Sequence, residues 1–149
     1  MSVRNSAKAI VVKDGEILLN RCSSRLGQYY ALPGGGQREG ETLQEALVRE
    51  VLEETGLRVR PERLCGVYEH IAARRADGND HKIYFVFFCT PEGKGREKPT
   101  ERDAFQLGSQ WVKLEDIPYT RLFPIAIRDN LMRMLSSEDA LFLGSVRKK

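Results

Sequence analysis

Cysteine, histidine and tryptophan are scarce, at three, two and one among 149 residues. Cys22, Cys65 and Cys89 are odd in number and widely spaced, with neither a CxxC pair nor the density of a disulfide scaffold. Reduced, buried thiols are therefore expected. His70 and His81 lack the spacing of metal ligands and read as structural or exposed side chains. No apolar run approaches the length of a membrane span, and MSVRNSAKAIVV holds too short an apolar run for a secretory leader. A cytoplasmic protein without a membrane partner is the expectation. Long basic tracts are missing too. Arg74-Arg75 and Arg147-Lys148-Lys149 are too short to follow a nucleic-acid backbone, and a net charge of +3 is a mild bias.

What is present is globular in kind. Hydrophobic residues make up 41% and charged residues 30%, which excludes a disordered chain, and 149 residues suffice for a continuous core. No repeat or linker interrupts them, so one domain over residues 1–149 is expected.

Ala7 to Val12 is apolar, Asp14-Gly15 is a strong turn signal and Glu16 to Leu19 is apolar again, which predicts a hairpin. Arg21 to Gln28 is polar and reads as a loop. Tyr29-Tyr30-Ala31-Leu32 leads into Pro33-Gly34-Gly35-Gly36, where proline and glycine are expected to interrupt any regular element. Thr42 and Glu45 form a capping box and Gly56 is a stop signal, which places a helix over Leu43 to Thr55. Leu64 to Tyr68 and His81 to Thr90 are β-rich, the second apolar enough for a central strand, with a polar turn at Arg74 to Asp80 between them. Pro91 to Ser109 reads as a long surface loop and Gln110 to Leu114 as a short strand that places Trp111 in the core. Ile125 to Leu135 has the pattern of an amphipathic helix begun by Pro124.

The first helix ends with an excess of negative charge. At ~100° per residue, Glu50, Glu53 and Glu54 fall within roughly a 100° arc, while Leu47, Val48, Val51 and Leu52 gather on the flank turned away. Ala46 leaves room above the cluster. Like charges four residues apart cost a helix about 0.2–0.5 kcal/mol, and negative charge in the last turn opposes the macrodipole by about 0.3–1 kcal/mol. A hard divalent cation offsets both, because Mg²⁺ takes carboxylate oxygens and keeps waters and substrate phosphates in its shell. A solvated acidic face is the plainer alternative.

The spacing around these glutamates is more specific than their charge. From Gly35, five residues lead to Glu41 and seven more to Arg49-Glu50-Val51-Leu52-Glu53-Glu54-Thr55-Gly56-Leu57, and this run resembles a complete Nudix box. The preceding Tyr30-Ala31-Leu32-Pro33-Gly34 is similar to the approach to the box in that family. The resemblance implies an α/β fold, a Nudix-type α/β/α sandwich with a mixed β-sheet between helices. It also implies hydrolysis of the pyrophosphate linkage in a nucleoside diphosphate joined to another group, with Mg²⁺ or Mn²⁺ as cofactor. Residue by residue, Glu50 and Glu54 resemble the main metal ligands, and Glu53 a further ligand or the residue that activates water. The carbonyl of Gly34 or Gly35 resembles an additional oxygen ligand. Glu41 and Arg49 resemble the pair that braces the loop and helix, with Gly35 and Gly56 as fixed positions of the box. Family members are often dimers, so a homodimer is a further expectation. One position departs from many relatives: Phe105 to Gln110 offers no acidic residue ahead of Trp111. Glu101 and Asp103 are the nearest, and Glu53 is the first choice for the general base.

Substrate is less plainly written. The region Ile71-Ala72-Ala73-Arg74 lacks the proline usual in ADP-ribose-hydrolysing relatives, and the coenzyme A signature is missing upstream. A nucleoside triphosphate or other small nucleotide is favoured. Arg21 and Arg25 are candidates for phosphate contacts, or else surface arginines. Tyr29 and Tyr30 are candidates to stack on a base, or else core aromatics. Two other readings stand beside the hydrolase: a Nudix-fold sensor that binds a nucleotide without cleaving it, and an enzyme of ADP-ribose or RNA 5′ ends. The short basic runs give the RNA reading little support.

Overall fold

Residues 4–13 alternate their side chains between two layers, and the other elements are arranged around them. The computed structural model describes residues 2–72, 81–93 and 106–148. Among these, the order is β1 (Arg4–Lys13), β2 (Glu16–Ser24), β3 (Gly27–Ala31), β4 (Gly34–Gly36), α1 (Leu43–Thr55), β5 (Arg58–Ile71) and β6 (His81–Glu92). Then follow β7 (Gln106–Lys113), a 3₁₀ helix (Leu114–Tyr119), α2 (Ile125–Ser136) and β8 (Leu141–Arg147).

The strands lie in the order β3-β2-β1-β6-β5-β8, with β4 also on β1 and β7 also on β2. β1 runs parallel to β6 and β5 parallel to β8, while β1–β2 and β5–β6 are antiparallel, so the sheet is mixed. Ala7, Ala9 and Val11 of β1 pack with Phe87 and Cys89 beneath Leu47 and Val51 of α1. From the opposite face, Ile10 packs with Ile17, Leu19 and Val86 against Ile127, Leu131 and Met134 of α2. This is the α/β/α sandwich expected. β6 is central, with β1 on one side and β5 on the other.

Local signals set both ends of α1. The Thr42 hydroxyl accepts from the Glu45 amide at 3.1 Å, and the Glu45 carboxylate accepts from the Thr42 amide at 3.2 Å. Gly56 adopts a left-handed φ of 74° and donates its amide to the Leu52 carbonyl, which closes the last turn.

Three segments depart from expectation. Arg21 to Gln28 is not a loop: β2 continues to Ser24 and pairs with β3 from Gly27 across a turn at Arg25-Leu26. β3 is an edge strand, so the apolar alternation that would betray it is weak. Pro33 to Gly36 does not interrupt regular structure either, because Gly34–Gly36 pairs antiparallel with Ser6 to Lys8. The two backbones are close: a Cβ on Gly34, whose φ is +135°, would stand 2.0 Å from the Ala7 carbonyl oxygen. Glycine is what permits this strand. The presumed long loop gives Pro91 and Glu92 to β6 and Gln106 to Ser109 to β7, while β8 is an element without an earlier counterpart. The turn expected at Arg74 to Asp80, and Glu101 and Asp103, lie outside the described residues.

The three cysteines are free and buried, and burial pushes the Cys89 thiol up to about 12. His81 lies 2.7 Å from Glu69 Oε2 and, with Ser145, holds that carboxyl below its usual range. Among the described residues no helix is long and apolar enough to cross a membrane.

Leu47 is fully buried beneath α1. Leu47→Ala is expected to lower unfolding free energy in urea by about 2–5 kcal/mol, as removal of a buried leucine usually does. A loss below about 1 kcal/mol would mean that α1 is not seated on this core.

Candidate active site

The site forms where β1 changes partners along one edge. β2 pairs with β1 only at Val12 and Lys13, and β4 takes over at Ser6 to Lys8. Between them β2 diverges with β3 and β7, and a cavity of about 420 Å³ opens in the fork. Glu50 and Glu54 of α1, Gly34 to Gly36, Asn20 of β2 and the cations Arg4, Lys8 and Lys82 line it.

Arg49 gathers the box residues. Its Nε and Nη2 donate to the two oxygens of Glu41 at 2.7 and 2.9 Å, and Nη2 also reaches the Gly36 carbonyl at 3.1 Å. Nη1 donates to Glu50 Oε1 at 2.9 Å and, more distantly, to Glu53 Oε2 at 3.5 Å. The guanidinium, followed by the Arg38 amide, holds the Glu41 carboxyl far below its usual range, at about 2. Arg49 in turn is pushed further up, chiefly by its bond to Glu41. On the other side of Glu50, a Cβ on Gly35 would lie 2.6 Å from the Glu50 carboxyl carbon. Glycine therefore leaves the space that this carboxylate occupies.

Glu54 is placed differently from its neighbours. It is only 7% exposed and belongs to the buried stripe of α1 with Ala46, Leu47, Val51 and Thr55. Its Oε1 accepts from the Gly34 amide at 2.9 Å and from Asn20 Nδ2 at 3.1 Å. These donors replace lost water and make burial of the carboxylate tolerable. Three carboxylates thus do not share one solvent face: Glu54 turns toward the core, while Val48 and Leu52 are half-buried rather than packed.

Of the expected residues, Glu50, Glu54, Gly34 and Gly35 meet in the cavity wall. Glu53 lines neither this cavity nor the adjoining one, and leans on Arg49 instead. Arg21, Arg25 and Tyr30 line neither. Arg25 is exposed in the turn between β2 and β3. Arg21 pairs with Tyr30 across the hairpin, and the Tyr30 hydroxyl donates to Gln110 Oε1 at 3.4 Å. Because side chains alternate along a strand, Tyr29 and Tyr30 face opposite ways, and Tyr29 is the one in the site. Lys8, Lys82, Tyr84 and Asn20 were not singled out from sequence. Lys8 belongs to the period-2 row Arg4, Ser6, Lys8 of β1, which is legible only once the neighbouring strands are known, and the other three lie on β2 and β6.

A second cavity, of about 600 Å³, adjoins the first. Tyr29, Tyr68, Tyr84 and Phe123 give it aromatic walls, and α2 supplies Asp129 and Asn130 at its rim. The Tyr68 and Tyr84 rings stack at 5.9 Å, and desolvation raises both phenols. Lys8, Tyr29, Ala31, Leu32 and Tyr84 border both spaces.

The donors suit a hard cation in kind. Glu50 and Glu54 bring carboxylates to one wall, and Mg²⁺ commonly takes one or two carboxylates with waters and phosphate oxygens. Among the described residues no three acidic, histidine or cysteine side chains converge on one point. The Gly34 carbonyl, expected as a further ligand, accepts from Lys8 Nζ at 3.3 Å.

Residues 3–132 match the NUDIX domain family. The chain belongs to that family. Among NUDIX relatives, the "ADP-ribose pyrophosphatase" of Methanocaldococcus jannaschii is 38% identical over 104 residues, covering 67% of this chain and 60% of that protein. The human "8-oxo-dGDP phosphatase NUDT18" is 36% identical over 105 residues, covering 69% of this chain and 30% of that protein. The chain therefore spans less than two thirds of either relative. The crystal structure of a MutT protein from Methanosarcina mazei aligns with a TM-score of 0.65 at 29% identity, over 89% of this chain and 92% of that one. Hydrolases of the NUDIX family generally use divalent metals such as Mg²⁺.

The Glu41–Arg49 pair gives a pH test. A carboxyl held at about 2 in the folded chain, against 4.5 ordinarily, favours the folded state whenever it is ionised. That contribution is full above about pH 4.5 and disappears as pH falls toward 2. Glu41→Gln is expected to lower the thermal midpoint at pH 7 and to approach wild type at pH 2–3. Parallel curves for the two proteins across that range would refute the pairing.

Proposed function

We propose that this NUDIX chain hydrolyses the pyrophosphate linkage of a nucleoside diphosphate joined to a further group, with a nucleoside triphosphate or another small nucleotide as substrate and Mg²⁺ or Mn²⁺ as cofactor. The observation that carries the reading is the continuity of two cavities of opposite character. One holds Glu50 and Glu54 with three cations, and the other is walled by aromatic rings. A ligand filling both is anionic at one end and flat and apolar at the other, as a nucleotide is.

Each side supports a separate task. Glu50 and Glu54 would hold the metal ion, which when bound neutralises the diphosphate and aligns its oxygens for attack by water. Arg49 keeps Glu50 oriented through Nη1, and the Gly34 amide with Asn20 keeps Glu54 in place. Arg4 and Lys82 present positive charge to the leaving phosphates, and Tyr29 and Tyr84 offer faces to a base. The names of the two relatives also support a nucleotide, since both refer to a purine nucleoside diphosphate.

The test is turnover of a panel of nucleoside triphosphates, nucleotide sugars, ADP-ribose, dinucleoside polyphosphates and capped RNA with Mg²⁺ or Mn²⁺, products being identified by mass. Glu54→Gln keeps an oxygen to accept from Gly34 and Asn20 but loses the charge. It is expected to fold and to lower kcat/KM by about 10²-fold or more, the equivalent of several kcal/mol of charge stabilisation. Saturable nucleotide binding with no turnover of any compound would replace the hydrolase by a sensor.

A further inference from the structure

Lys8 stands where the two cavities meet. Of the cations around the site, Arg4 and Lys82 border only the carboxylate cavity and Lys148 only the aromatic one, whereas Lys8 borders both. It is half-buried on β1, on the face that carries Arg4 and Ser6 rather than the core residues Ala7 and Ala9.

Its hydrogen bonding is incomplete in a particular way. Nζ donates to the Leu32 carbonyl at 3.5 Å and the Gly34 carbonyl at 3.3 Å. Charge-assisted bonds of an ammonium to an oxygen are usually about 2.7–2.9 Å, so both contacts are long. Among the described residues no carboxylate lies within 4.0 Å of it, although Glu50 and Glu54 share the cavity. An ammonium has three donors and is costly to desolvate without an anion. The fold thus places a lysine with no carboxylate in contact where the aromatic chamber meets the carboxylate cavity.

We propose that Lys8 is a substrate-positioning residue that takes the phosphate nearest the nucleoside, and so requires that the aromatic group in the chamber carry a phosphate. This rests on the nucleotide reading of the site and deepens it. With the ring inside the aromatic chamber, the first phosphate lies at the boundary shared by the two cavities, and the phosphates beyond it extend toward Arg4, Lys82 and the carboxylates. Lys8 fixes which part of the chain enters the carboxylate cavity. The same demand disfavours a phosphorylated polyol, which brings phosphate but has no flat ring for the chamber.

A purely structural lysine, bracing Leu32 and Gly34, would give different results from a ligand contact. Metal-free calorimetry with adenosine, guanosine and their 5′-monophosphates separates the two, using wild type, Lys8→Met and Lys8→Arg. Wild type is expected to bind at least one monophosphate about tenfold or more tightly than its nucleoside, the equivalent of about 1.4 kcal/mol. Lys8→Met is expected to remove most of that preference while keeping nucleoside affinity and the thermal midpoint, and Lys8→Arg to restore it. In turnover, Lys8→Met raises KM more than it lowers kcat. The inference is overturned if Lys8→Met keeps the phosphate preference, or loses nucleoside and monophosphate binding equally. Failure of the whole hydrolysis panel with a Lys8-dependent phosphate preference intact would remove the hydrolase reading and leave this one standing. A wild type that binds neither ligand removes both.

Discussion

The guanidinium of Arg49 is the point on which the site depends. Four carboxylates, Glu41, Glu50, Glu53 and Glu54, are drawn toward one loop and the end of one helix, and their mutual repulsion favours spreading apart. Arg49 touches three of them and also a glycine carbonyl, with a fork of donors that a lysine does not have. The repulsion that a divalent cation was invoked to offset is already largely met by the protein's own cation. Formation of the helix therefore does not call for an ion.

Glu54 takes the other course. It is buried and held by a backbone amide and an asparagine, whose donors replace the water that burial takes from its carboxylate. The two devices act on opposite sides of the glycine segment. Arg49 fastens Gly36 and Glu50 at the outer side, and Glu54 fastens Gly34 at the inner side. β4, only three residues long, is thereby clamped between β1 and α1.

What was legible in the sequence was whatever depends on neighbours a few residues apart. Thr42 with Glu45, Gly56, Asp14-Gly15 and the packed face of Leu47 and Val51 all act within a turn or two, and α1 has the bounds they imply. The box residues were legible because their spacing is itself the signal. What stayed hidden depends on pairing between distant segments. β3 lies at an edge and β8 at the opposite edge, where burial is partial and alternation faint. Lys8 reads as an ordinary polar residue at the start of an apolar run until β6 and β4 are set beside it, and Tyr29 and Tyr30 are indistinguishable until the register of the hairpin is known.

The interleaving along β1 has a consequence for how such a protein can change over generations. Positions 7, 9 and 11 belong to the core under α1, whereas positions 4, 6 and 8 line the carboxylate cavity. Substitutions at positions 4, 6 and 8 can alter the cavity wall without touching the packing beneath α1, whereas Ile10, further along the same face, belongs to the core against α2. Over this stretch, packing and cavity lining are written on alternate letters of the same strand, so the lining can drift among descendants while the scaffold is inherited intact. A single inserted residue would be another matter, since it would exchange the two sets and forfeit both at once.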